Sequence, residues 1–296
     1  MTFLESREID TDKWDALVDR TEGASVFSYS WYLDAVAENW AVLVNDDYSS
    51  GVALPYSIRL GHKILYTPIF CSYLECLGEM NVELLSEQIH TLFKTGDINF
   101  LQKVLGEPNE IFVCQNVGNE QFRLGSQAKR AMKKADKADF KISQVHDNKD
   151  IVEIIEKELV DKVHAIDKQT FPRLSKAIRN GQNRGKLINF ELKEGESKLL
   201  GGLVCIQKPG ILLYLKGAAV ESGKNEGGMF LLMNTAINYA FEQGLLFDFG
   251  GSRVPGVRKF NQHFGGQDFE FYNYTFNKGP WWFKILRSIH HRWFKK

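Results

Sequence analysis

The chain has 296 residues, 44% of them hydrophobic and 25% charged, which suits one large or two ordinary packed domains and excludes wholesale disorder. Its 37 basic and 37 acidic side chains cancel, so no global field draws nucleic acid or membrane, and any charge-driven partner must use a local patch. The polar, mixed-charge residues 1–10 lack the form of a secretory signal, and no segment has membrane-spanning length. Cys71, Cys76, Cys114 and Cys205 are too few for a disulfide scaffold, and no second pair completes a zinc pattern. A cytoplasmic protein without a metal is expected.

In chain order, apolar residues near helical spacing predict helices over 12–20 and 29–37. Strands follow over 40–44, 51–60 and 63–67, separated by turn signals at Asn45-Asp46-Asp47 and Gly61-His62. Residues 82–93 form an amphipathic helical pattern, and apolar runs over 100–105 and 111–114 complete a mixed α/β unit, placed at residues 1–125. Residues 126–138 carry Lys129, Lys133 and Lys137 at four-residue spacing with Arg130 and Lys134 beside them, opposite Ala128, Met132 and Ala135. That pattern predicts a basic connecting helix, within 126–140, packed on its small apolar face and otherwise solvated.

The second unit, 126–279, repeats the grammar. A helix over 151–170 ends near Pro172, and strands run over 187–192, 199–207 and 211–218, the last two joined by the hairpin signal Lys208-Pro209-Gly210. Gly227-Gly228 precedes a helix over 229–243 with Gly244 as its cap, then a strand over 245–249, a Gly250-Gly251 turn, a short helix over 257–264 and an aromatic strand over 269–276. Residues 280–296 alternate Trp, Phe and Ile with Lys, Arg and His, so that Trp282, Ile285, Leu286, Ile289 and Trp293 share one helical face. Such a tail either docks on protein or lies on an anionic membrane surface.

A helix that starts at a glycine pair offers free N–H groups and the positive end of its dipole, which makes Lys224, Gly227, Gly228 and Met229 the candidate cofactor cradle. Phe247-Asp248-Phe249-Gly250-Gly251-Ser252, followed by Phe260-Asn261-Gln262-His263-Phe264-Gly265-Gly266, resembles the FemAB-like and related GNAT-type acetyltransferase families. Trp31-Tyr32-Leu33-Asp34-Ala35, Pro55 and Tyr66-Thr67-Pro68 are similar to the first domain of those proteins.

The resemblance implies an α/β (α+β) fold of two tandem GNAT-like domains, each a mixed, mostly antiparallel sheet flanked by helices. It also implies transfer of an acyl or aminoacyl group to an amine of a cell-envelope precursor or small molecule. The donor is then an acyl-CoA or an aminoacyl ester, with tRNA as the one nucleic acid to consider and peripheral contact with the inner membrane face through 280–296. Three features depart from the family pattern. The phosphate turn has Met229 where a small residue is usual, Asn261 stands in place of the pattern's lysine, and the helical-hairpin insertion of tRNA-using members is missing.

Amide formation needs a polarised carbonyl and a base for the amine. Asp248 and Glu221 are the candidate bases, with His263 as the acid that protonates the leaving group. Tyr214, Lys216, Lys259 and Phe260 are candidate substrate contacts, with Tyr239 a further pocket residue. Cys205, amid apolar residues, reads as packing. A GNAT-like module that binds without catalysis is the reading from another functional class.

Overall fold

Residues 1–160, 170–251 and 255–279 are described in the computed structural model. The first half runs β1 (Thr2–Glu5), α1 (Thr11–Arg20), α2 (Ser30–Val36), β2 (Asn39–Val44), β3 (Gly51–Arg59), β4 (His62–Tyr66), β5 (Cys76–Leu77), α3 (Val82–Leu92), β6 (Thr95–Phe100) and β7 (Glu110–Val117). The second runs α4 (Ser126–Lys137), β8 (Phe140–Val145), α5 (Lys149–Val160), α6 (Phe171–Asn183), β9 (Leu187–Glu194), β10 (Lys198–Lys208), β11 (Ile211–Ala219), α7 (Glu221–Asn225), α8 (Gly228–Glu242), β12 (Leu246–Asp248), α9 (Pro255–Gln262) and β13 (Gln267–Asn277). Residue 125, the expected boundary, lies between β7 and α4.

Local chemistry sets most of these limits. Asp10 accepts from Lys13 N (3.2 Å) to start α1, and Asn81 accepts from Leu84 N (2.9 Å) to start α3. Three elements differ from expectation. β6 begins at Thr95, ahead of the run predicted over 100–105, because pairing with β4 and β13 overrides the weak strand preference of Gly96 and Asp97. Pro172 opens α6, where a missing N–H costs nothing, and of the helix predicted over 151–170 residues 161–169 lie outside the described residues. β1 forms from a polar start because Phe3 and Leu4 find β2.

The strands make one sheet in the order β1-β2-β3-β4-β6-β13-β7-β12-β11-β10-β9-β8, with β5 on β3. Each half contributes one parallel pair, β4 with β6 and β11 with β12, among antiparallel neighbours. The last strands are exchanged. β13 inserts between β6 and β7, while β7 pairs with β12, so each half's sheet is completed by a strand from the other.

Side chains alternate across the second sheet and feed two cores. Val204, Ile206, Leu213 and Leu215 join Ile151 and Ile155 of α5 and the first-half core. Leu203, Cys205, Leu212, Phe247 and Phe249 pack on Leu232, Met233, Ala236 and Ile237 of α8. A bulge lets Cys205 pair with Tyr214 and Val204 with Lys216, skipping Leu215. Lys216 is thereby turned to the α5 side, where its partner Val204 lies. Among the described residues no helix is long and apolar enough to cross a membrane.

Candidate active site at the parting of β11 and β12

The parallel pair β11–β12 holds for three residues, Ile211 with Leu246, Leu212 with Phe247 and Leu213 with Asp248, and then ends. β11 continues to Ala219, while the other chain turns away at Gly250 and Gly251, whose φ values of 73° and 76° favour glycine. The turn is pinned from both sides. Gly250 N donates to Asp248 Oδ1 (2.8 Å), Ser72 Oγ donates to Gly250 O (2.7 Å), and Phe249 N donates to Gln115 O (3.1 Å). A side chain at Gly251 would strike Cys114 Sγ and Ser72 Oγ. The parting is therefore built by first-half residues as much as by second-half ones.

Phe247 and Phe249 point to the α8 core, so Asp248 between them faces the first half. It is buried, at 6% exposure, and burial raises its pKa to about 6 against the pull of the Gly250 N–H. On the same side lies Glu75, 1% exposed, whose pKa burial lifts to about 8. The Ser28 hydroxyl, the Ser25 N–H (3.1 Å) and the Lys208 charge favour its ionised form, and Asp248 opposes it. Lys208 is itself 2% exposed, and burial lowers its pKa while Glu75 and Asp19 act the other way. Burial and the nearby carboxyls push the Tyr73 phenol and the Cys114 thiol well up, leaving both protonated. Two carboxyls and the Lys208 ammonium are thus buried in the seam between the halves, the kind of environment that tunes acids and bases.

The sequence-predicted site residues divide by location. Asp248 and Lys216 share the α5-side face; burial depresses the Lys216 pKa, and no carboxylate pairs with it among the described residues. Tyr214 packs on the α8 side with its hydroxyl on Gly217 O (3.4 Å). His263 is also on that side, its ring 6.2 Å from Phe230 and its carbonyl accepting from Gly125 N (2.8 Å). Glu221 is exposed at the start of α7. Asp248 is thus buried in the seam, His263 lies on the α8 side and Glu221 is exposed on α7, so the three are spread over different surroundings. Phe260 is a core ring against Phe230 (4.7 Å) and Phe264 (5.4 Å), and Lys259 is exposed on α9. Asn261, in the pattern's lysine position, is buried and donates to Gln115 Oε1 (2.9 Å).

The glycine corner is filled. Gly227, at φ 84°, lies so close to α4 that a Cβ would overlap the Ala131 carbonyl, and one on Gly228 would meet Leu192 and Gly223. Lys224 is ion-paired to Glu158, and half-buried Met229 packs toward the α8 core. At the expected cofactor cradle, Gly227 thus serves the close packing of α4 on the start of α8. Glu75, Lys208, Tyr73, Ser72 and Cys114 escaped sequence reading. The one legible signal was a carboxylate inside the apolar run 70–77. Among the described residues no group of His, Cys, Asp and Glu could hold a metal ion.

No protein-family model matches the sequence, and no curated protein is significantly similar to it. Solved structures do match. FemX superposes with a TM-score of 0.66 at 12% identity, over 94% of this chain and 98% of FemX. The C-terminal domain (DUF2156) of a lysylphosphatidylglycerol synthetase from Agrobacterium fabrum gives 0.58 at 10%, over 90% and 92%. A GNAT-family acetyltransferase from Colwellia psychrerythraea gives 0.52 at 11%, over 94% and 100%. The chain has the tandem GNAT fold of FemX. The expected fold class and family resemblance are met, and at these identities the likeness is one of architecture.

Proposed function

We propose that the protein is an N-acyltransferase or aminoacyltransferase that works at the parting of β11 and β12. The observation that carries this reading is the placement of Asp248, a desolvated carboxylate with a pKa near 6, at the apex of the only described parallel pair whose ladder opens. Above pH 6 the carboxylate is ionised and takes a proton from the acceptor ammonium or amine. The freed nitrogen attacks the donor carbonyl, the C–N bond forms, and the C–O or C–S bond to the leaving group breaks. The leaving oxygen or sulfur takes up a proton as it departs. Lys216, on the same sheet face and without a carboxylate partner among the described residues, suits the anionic part of a substrate.

The filled corner at Gly227 weighs against acyl-CoA held in the usual phosphate turn and favours an aminoacyl ester as donor. The lysylphosphatidylglycerol synthetase, by its name, supports a lipid head group as acceptor, and the FemAB-like resemblance keeps an envelope precursor and a tRNA-borne donor in view. Peripheral contact with the inner membrane face belongs to the same reading. The basic-aromatic tail 280–296 lies outside the described residues.

A thermal-shift screen of the full chain with CoA, acetyl-CoA, an aminoacyl ester and nucleotide-sugar peptides tests the proposal, followed by mass spectrometry for a new amide. Stabilisation by an aminoacyl ester or peptide precursor, and not by CoA, is the expected result. No stabilisation and no amide across the set would leave a binding module in place of the enzyme.

A further inference from the structure

Helix α4 is basic from its first turn to its last, although its N-terminal end favours anions. Its N-cap is Gly125, which supplies no side-chain hydrogen bond, and its first turn holds no acidic residue. Lys129 ends that turn and Arg130 follows it, where a cation opposes the helix dipole, while Lys134 and Lys137 in the last turn suit it beside the helix's one carboxylate, Asp136. Lys129, Lys133 and Lys137 repeat at four-residue spacing, a like-charge arrangement that weakens a helix. Among the described residues, Lys134 alone of the helix's basic side chains has an ionic partner, Glu226 at 3.3 Å, with Asn225 O at 2.8 Å. Lys129, Arg130, Lys133 and Lys137 are exposed and make no ion pair among the described residues, with Asp136 the one carboxylate on the helix. The helix persists because Ala128 and Ala135 are buried and its backbone seats against Gly227 of α8. In a chain of zero net charge, an unfavourable local choice held in place by packing marks a functional surface.

We infer that the exposed face of α4 docks the protein on an anionic lipid bilayer. From Lys129 to Lys137 the row is about 12 Å long on a helix held rigid from behind, a flat strip that meets several head groups together. A nucleic acid fits less well. The exposed large apolar side chains among the described residues are Ile58, Leu60, Val82, Leu84 and Ile111, none of them aromatic, so bases find no stacking platform. The inference deepens the membrane contact proposed with the transferase reading, and its readout, lipid partition and not turnover, lets either one fail without the other.

The test is sedimentation of the full chain with vesicles of phosphatidylcholine containing phosphatidylglycerol, against pure phosphatidylcholine, at low and high salt. Binding to the anionic vesicles alone, weakened by salt, is expected. Each cation near such a surface contributes roughly fivefold, so K129Q/K133Q/K137Q loses about 100-fold in partition. Its melting temperature does not fall, since these side chains hold nothing in place, and K129R/K133R/K137R binds like the parent. Equal pelleting of the parent and the glutamine variant overturns the inference. So does binding to neutral vesicles, no vesicle binding at all, or charge-dependent binding of duplex RNA without vesicle binding.

Discussion

The two parallel pairs of the sheet occupy matching positions and end at matching residues, yet one is closed and the other opens. In the first half, Tyr66 aligns with Asp97 at the third register position, as Leu213 aligns with Asp248 in the second. Beyond Asp97 the strand runs on to Phe100, and the chain after β4 is laced to it. Thr67 N donates to Asp97 O, Thr67 Oγ1 accepts from Asn99 N (2.7 Å), Asn99 Nδ2 donates to Ser72 O (2.9 Å), and Leu74 bridges to Phe100. Asp97 itself is exposed and accepts from Asn273 Nδ2 (2.9 Å). Beyond Asp248 the chain turns off at two glycines, and the carboxyl is left in the dark of the seam. The same fold thus serves once as scaffold and once as site. The scaffold half even supplies Ser72, Tyr73 and Glu75 to the site of the other.

The largest effect follows from the strand exchange. If each half depends on the other's last strand, residues 1–125 alone leave β6 without β13, and residues 126–279 leave β12 without β7. Neither fragment is expected to unfold cooperatively in denaturant, while a mixture of the two regains part of the native signal. A sharp transition for either one alone would break the picture of reciprocal completion.

The paired aspartates sharpen the comparison directly. Asp248→Asn is expected to lower amide formation by about 10²–10⁴-fold, the usual worth of a positioned base, with the protein still folded. The parent's rate should rise with pH through about 6, as Asp248 ionises, and the variant should lose that limb. Asp97→Asn, at the equivalent register, should leave the rate within about twofold. Equal losses in both variants would mean that the parting is not the reaction centre.

Much of the frame was legible because it rests on local chemistry. The hairpin at Pro209-Gly210 and the amphipathic α3 both act within a few residues. Asp248 could be found because it precedes two glycines that must turn. What could not be read is what the topology brings together from afar. Glu75 and Lys208 come within electrostatic reach of each other only because the short 3₁₀ turn Val26–Ser28 packs beside β10. Gly227-Gly228 gave the right element boundary and the wrong purpose. A glycine pair before a helix allows the close approach of either a ligand or another backbone, and only the position of α4 decides between them. The bulge at Leu215, which turns Lys216 away from Tyr214, leaves no mark in the sequence either.

Glu75 tests whether the seam is tuned at the expense of stability. Its pKa is raised from 4.5 to about 8 on folding, so between these values the unfolded chain has lost a proton that the folded chain keeps. Stability therefore falls as pH rises from 4.5 to 8 on this group's account. Glu75→Gln should flatten that slope and become more stable than the parent by up to a few kcal/mol near pH 8, read from denaturant midpoints across pH. An unchanged slope would mean that Glu75 is ionised in the native protein, paired with Lys208.

The smallest expected effect separates packing from ligand binding at the corner that the sequence singled out. Gly227→Ala places a Cβ against the Ala131 carbonyl in a left-handed conformation, which should cost about 1–3 kcal/mol of stability. Because α4 fills the corner, the loss should appear in the denaturant midpoint and leave the affinity for any donor that stabilises the parent unchanged once the folded fraction is taken into account. Loss of donor affinity at full native population would instead mean that α4 moves aside and that its carbonyl holds the place of a phosphate. The second half would then carry two openings where the first carries none.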